Sequence, residues 1–140
     1  MILEEDSLLN FRYDPKTDIL SVRFPDLIDT PIPQIENSLE KLGRNIINFD
    51  VKKLLLDLRS GVIGIGEEDY RFHVGQFLKT LGGSRLEKVA RVIPENPVRE
   101  YLIDHFAAEM RTKLGLPFEA QSFTSKTEAL RWLKNPAIII

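Results

Sequence analysis

Hydrophobic positions along the chain alternate at some stretches and recur every three to four residues at others, and each change of period marks a new element. Leu9, Phe11 and Tyr13 alternate with polar neighbours, Asp14-Pro15-Lys16-Thr17-Asp18 carries turn chemistry, and Leu20, Val22 and Phe24 resume the alternation. This predicts an antiparallel hairpin with one apolar face, ended by Pro25. Ile32, Ile35, Leu39, Leu42 and Ile46 then step along one face of a helix. Thr30 is the expected cap, with Pro31 or Pro33 in the first turn, where a missing N–H costs nothing. In Lys53-Leu54-Leu55-Leu56-Asp57-Leu58 the leucines fall on both sides of the pleat, which marks a central strand covered on both faces. Strand, crossover helix and buried strand form a βαβ unit, so the two strands should be parallel.

The same alternation of elements continues to the end of the chain. Tyr70, Val74, Phe77, Leu78 and Leu81 line a helix that stops at Gly82-Gly83, and residues 88–93 read as a strand stopped by Pro94. Asn96 and Pro97 open a third helix, on which Val98, Leu102, Phe106, Met110 and Leu114 lie four apart, and Gly115 closes it. Residues 118–123 form a more polar strand, expected at a sheet edge. Ser125-Lys126-Thr127-Glu128 is a capping box that opens a short helix through Ala129, Leu130, Trp132 and Leu133. The order ββαβαβαβα predicts an α/β fold: a mixed, mostly parallel five-stranded sheet flanked by helices. With 140 residues and no linker or repeat, residues 1–140 are expected to form one domain, with 137–140 as an apolar tail.

Composition removes several function classes. The chain has no cysteine, which excludes disulfides, thiolate zinc sites and a cysteine nucleophile. Two histidines and no ligand pair at i, i+4 predict no metal site and no cofactor that depends on one. A net charge of −2 gives no reason to expect nucleic acid as partner. The acidic start, Glu4-Glu5-Asp6, lacks the basic charge of a secretory signal, and no apolar run approaches the ~20 residues of a membrane helix. A cytoplasmic protein without a membrane span is the expectation.

Few residues suggest chemistry. Between the central strand and the second helix, Ser60, Gly61, Gly64 and Gly66 lie where open α/β sheets bind ligands. Their G-x-x-G-x-G spacing reverses the dinucleotide fingerprint, however, and Glu67, Glu68 and Asp69 in the next helical turn would repel a phosphate. His73 and His105 are remote from each other, and Asp104 and His105 point about 100° apart on a helix, so no catalytic dyad or triad is expected. Arg85, Lys88, Arg91 and Arg99 read as a solvated basic face. Ile138-Ile139-Ile140 either packs back onto the chain's own sheet or joins two subunits in a homodimer.

The hairpin, the crossover to Leu54-Leu55-Leu56-Asp57-Leu58 and the ending Phe123-Thr124-Ser125-Lys126-Thr127-Glu128-Ala129-Leu130-Arg131-Trp132-Leu133 resemble the STAS superfamily, and within it the SpoIIAA-like branch of bacterial proteins. The resemblance spans residues 8–134 and implies a non-enzymatic regulatory module that binds a protein partner, like the anti-sigma-factor antagonists. In those antagonists a phosphorylatable serine opens the helix after the central strand. Here Glu67 and Glu68 occupy that stretch, and a fixed carboxylate there imitates part of a phosphoserine's charge. On this reading the recognition surface comprises Ser60, Gly61, Gly64, Gly66, Glu67, Glu68, Asp69 and Tyr70. The branch also resembles lipid-binding CRAL-TRIO domains, which gives the alternative: a carrier of a small apolar or lipid-like ligand held between sheet and helices.

Overall fold

A computed structural model describes residues 5–27, 29–60, 67–94 and 98–135, the side chains of residues 67 and 98–103 excepted. The elements follow the expected order: β1 (Asn10–Asp14), β2 (Ile19–Arg23), α1 (Ile32–Asn48), β3 (Lys53–Asp57), α2 (Glu67–Thr80) with a 3-10 turn (Leu81–Gly83), β4 (Lys88–Val92), α3 (Val98–Leu114), β5 (Glu119–Phe123) and α4 (Lys126–Lys134). The sheet is α/β, mixed and five-stranded, with β1 antiparallel to β2 and the other pairs parallel. Its spatial order is the chain order, β1-β2-β3-β4-β5. Each crossover therefore moves one strand over in the same direction, and right-handed crossovers that all move the same way place their helices on one face.

Packing agrees with that topology. Leu20, Val22, Leu54 and Val89 point to the face covered by Ile35, Leu42 and Ile46 of α1 and Leu78 of α2. Their neighbours Ile19, Leu55, Ala90 and Val92 point the other way, onto Ala129 and Leu133 of α4. β3 is the middle strand, and Leu54 and Leu55 are both fully buried, one on each face. Strand β5 lies at the edge, as its polar sequence predicts.

Local chemistry fixes the joints. The Asp14 carboxylate accepts hydrogen bonds from Lys16 N–H (3.0 Å) and the Thr17 hydroxyl (3.1 Å), and Asp18 takes a left-handed conformation (φ 55°) that turns the chain back. The Tyr13 hydroxyl donates to Asp18 (2.7 Å), which pushes its pKa up to about 12. Helix α1 differs from expectation at its start: Pro31, not Thr30, is the N-cap, with no side-chain cap. Thr30 is instead held one residue upstream, its N–H donating to the Leu27 carbonyl (3.0 Å). Ser125 caps α4, its hydroxyl accepting from Glu128 N–H (3.3 Å). Gly115 closes α3 at φ +65°, a conformation with no Cβ penalty only for glycine. At Gly43 a Cβ would come within 2.8 Å of Thr80 Cγ2, so the close approach of α1 to the end of α2 depends on the missing side chain. The caps expected at Asn96 and Pro97 and the 137–140 tail lie outside the described residues.

Two predictions follow from the core and its acids. Leu55→Ala should lower stability by ~2–5 kcal/mol in urea unfolding, whereas a loss of a few tenths would contradict the central position of β3. Asp57 is held below the ordinary carboxyl value of 3.8, chiefly by its hydrogen bonds from the Arg59 side chain, against an opposing effect of burial. For Asp6, burial alone would raise the value, but hydrogen bonds from Leu9, Ser38, Leu8 and Lys41 together leave it lowered. Both carboxylates thus contribute stability that is complete above the unfolded value and is lost as pH falls through the folded one. The urea midpoint should drop as pH is taken below 3.8, and Asp57→Asn should make that drop shallower.

Candidate functional site

Helix α3 covers the sheet without packing into it. None of its described side chains, at residues 104–114, is buried. Of its apolar stripe, Phe106 and Met110 lie against α2. A Cβ placed on Gly75 would sit 3.8 Å from Met110 Cε and 3.9 Å from Phe106 Cζ, so this glycine is where the two helices meet. Leu114, the end of the stripe, is exposed. The face that α3 presents to the sheet is Asp104, Ala107, Ala108 and Arg111, four residues at helical spacing that are small or charged.

What stands under that face is a cavity of about 450 Å³, roofed by α1, α2 and α3 and floored by the sheet. Leu39, Val74 and Phe77 supply apolar wall from α1 and α2, and Leu56, Val89 and Ala120 supply the floor. The sequence order puts Ala107 and Ala108 where a crossover helix ordinarily places large side chains, and the missing volume is the cavity.

A polar pillar crosses it. Arg91 lies on the same face of β4 as Val89, and alternation along the strand aims its guanidinium at the helices. It pairs with the Asp104 carboxylate of α3, which also accepts from the Ser122 hydroxyl of β5 at 2.6 Å. This contact corrects the expected basic face. Lys88, three positions earlier, points to the opposite side of the sheet, where its Nζ lies 4.9 Å from the Trp132 ring and donates to the carbonyls of Trp132 (3.0 Å) and Asn135 (2.7 Å). Arg85 pairs with Asp50 at 3.6 Å, and the Arg99 side chain lies outside the described set. The residues therefore form separate contacts on two faces rather than one solvated patch.

Arg111 lies two helical turns beyond Asp104, ~10 Å along the axis at 1.5 Å per residue. Its guanidinium carbon sits 5.7 Å from the centre of the Phe118 ring. Burial pushes its pKa below the ordinary guanidinium value. Among the described residues, its Nε is the one buried side-chain nitrogen or oxygen without a hydrogen-bond partner.

The loop expected to carry function divides. Ser60 is exposed in the turn after β3, and Gly61, Gly64 and Gly66 lie outside the described residues, as does the Glu67 side chain. Glu68 and Asp69 are exposed in the first turn of α2, while Tyr70 is buried and lines the cavity. The histidines do not meet: His73 lines the cavity wall with Nε2 3.9 Å from Glu36, and His105 pairs with Glu109 on the surface at 3.2 Å. Asp104 and His105 point apart, as helical geometry requires. No group of three or more His, Asp or Glu suited to a metal ion occurs among the described residues, and none of the described helices is long and apolar enough to cross a membrane.

No family model, curated protein or solved structure matches the chain.

The pillar can be tested directly. Asp104→Ala leaves a largely buried guanidinium without this carboxylate and should cost ~1–3 kcal/mol. The combined variant Arg91→Met with Asp104→Leu should recover most of that loss, because apolar pairs of similar volume replace internal ion pairs well. Additive losses in the double-mutant cycle would show that the two residues do not act as a pair.

Proposed function

We propose that this chain is a non-enzymatic, cytoplasmic binding protein that holds a small apolar molecule between its sheet and helices α1–α3. The observation that carries the reading is the cavity of about 450 Å³ under α3, walled mainly by aliphatic and aromatic side chains. That volume falls within the ~300–1,000 Å³ of small-molecule sites, and a few convergent polar groups in an apolar wall are their usual composition. The resemblance to the SpoIIAA-like branch, carried by the hairpin, the crossover to Leu54-Leu55-Leu56-Asp57-Leu58 and the capped closing helix, fits a regulator that responds to what it binds.

A second reading, the protein-interaction module, draws on the first turns of α2. Phe72 is 58% exposed beside the exposed acids Glu68 and Asp69. An exposed aromatic ring suits the core of a protein interface, with the acids at its rim. Both uses can coexist, since Tyr70 faces the cavity from the same helical segment that presents Phe72 outward.

The test of the first reading is fluorescence titration with the neutral probe N-phenylnaphthylamine. Saturable binding with a blue-shifted emission is expected, and Ala108→Trp, which fills the space beneath α3, should weaken it by about tenfold or more, ~1.4 kcal/mol. Absence of saturable binding in the unmodified chain would reject the cavity as a ligand site and leave the α2 surface as the functional one.

A further inference from the structure

The chemical class of the ligand can be narrowed from the charges that line the cavity, an inference that rests on the cavity being a binding site. Three described lining residues, His73 aside, carry formal charge: Arg91, Arg111 and Asp104. Asp104 is committed to Arg91 and Ser122. Among the described lining residues, Arg111 is the cation without a carboxylate. Asp104 is two turns away along α3 and already paired, and the guanidinium carbon lies 5.7 Å from the centre of the Phe118 ring. One edge of the guanidinium, at Nε, remains without an acceptor in a place that water does not reach.

A buried guanidinium donor without an acceptor is costly, because the group has lost its hydration and gained nothing in return. A carboxylate answers it best, since its two oxygens match the parallel N–H groups along one guanidinium edge. We propose that Arg111 anchors the carboxylate of an amphipathic monocarboxylic acid whose hydrocarbon part lies in the apolar cavity against Leu39, Val74 and Phe77. A singly charged headgroup matches the single guanidinium at Arg111; a dianionic phosphate would bring one negative charge more than that guanidinium answers. Arg91 does not share this role, because releasing Asp104 to free it would strand a carboxylate beside the ligand's own.

The experiment displaces N-phenylnaphthylamine from the full chain at neutral pH with dodecanoate, dodecanol and dodecyl phosphate. Dodecanoate is expected to displace the probe at concentrations about tenfold or more below those of dodecanol, and dodecyl phosphate to be weaker than dodecanoate. In Arg111→Gln the advantage of the acid over the alcohol should vanish while dodecanol displaces as before. Circular dichroism establishes that the variant is folded, and the ranking on the unmodified chain stands as a test even if it is not. Equal potency of acid and alcohol on the unmodified chain would overturn the anion site while leaving the apolar cavity intact. An acid preference that survives in folded Arg111→Gln would overturn the role of Arg111. Tighter displacement by dodecyl phosphate would overturn the monocarboxylate class. Failure of the probe itself to bind would instead reject the underlying cavity reading.

Discussion

An arginine on the inner face of a central-sheet strand must be answered by a carboxylate from the layer that covers it, and in this protein that requirement governs the helical layer. Arg91 meets Asp104, and Ser122 completes the carboxylate's bonds from the neighbouring strand. A contact of this kind has a fixed length. It holds α3 at the reach of a guanidinium rather than at the separation that interlocking leucines would set, and the alanines at 107 and 108 do not fill the difference. A cavity, a polar pillar and a helix that rests on α2 rather than on the sheet are three results of one buried charge.

The other face of the sheet shows what the chain does when no charge intervenes. Leu55, Ala90 and Val92 take Ala129 and Leu133 of α4 directly, and all five are buried. Lys88, projecting to this side, reaches the end of α4, where it satisfies carbonyls that the last turn leaves open. One basic residue of β4 thus terminates a helix on one face, and another props a helix on the opposite face. Neither role depends on the net charge of the region; both depend on which way the pleat turns each residue.

Most of the architecture is legible in the order of residues. The leucines at 54–56 give the double-sided strand, the Ser125 and Glu128 pair gives the last helix, and the hairpin follows from its turn and alternation. The site is less legible, for a physical reason. On α3 the four-residue spacing of Phe106, Met110 and Leu114 marks an apolar stripe, yet Phe106 and Met110 meet α2 and Leu114 is exposed. Asp104, Ala107, Ala108 and Arg111 carry charge or little volume, which is the signature of a solvated face and also of the wall of a cavity. The signal that separates the two lies on another element: Val89 and Arg91 share a side of β4, so one of the strand's two faces must accommodate a charge. Thr30 misleads in a simpler way, since a proline that follows it already has the geometry to start the helix.

The register rows across the parallel strands carry a further consequence. Ile19 pairs with Lys53, Lys53 with Lys88 and Lys88 with Glu119, steps of 34, 35 and 31 residues. Each strand is laid down beside its immediate predecessor, and no strand has to be threaded between two that already pair. The chain is therefore wound one strand-helix coil after another, each new parallel strand pairing with the one before it, and α4 then packs back across β3 and β4 on the opposite face. The three parallel pairings close loops of nearly equal length, so no strand joins the sheet at a much higher chain-entropy cost than another. The antiparallel strand β1 is the odd member of this row: it doubles back on the first coil and serves as its end piece, so that growth of the sheet stops at the hairpin on one side and at the polar edge of β5 on the other.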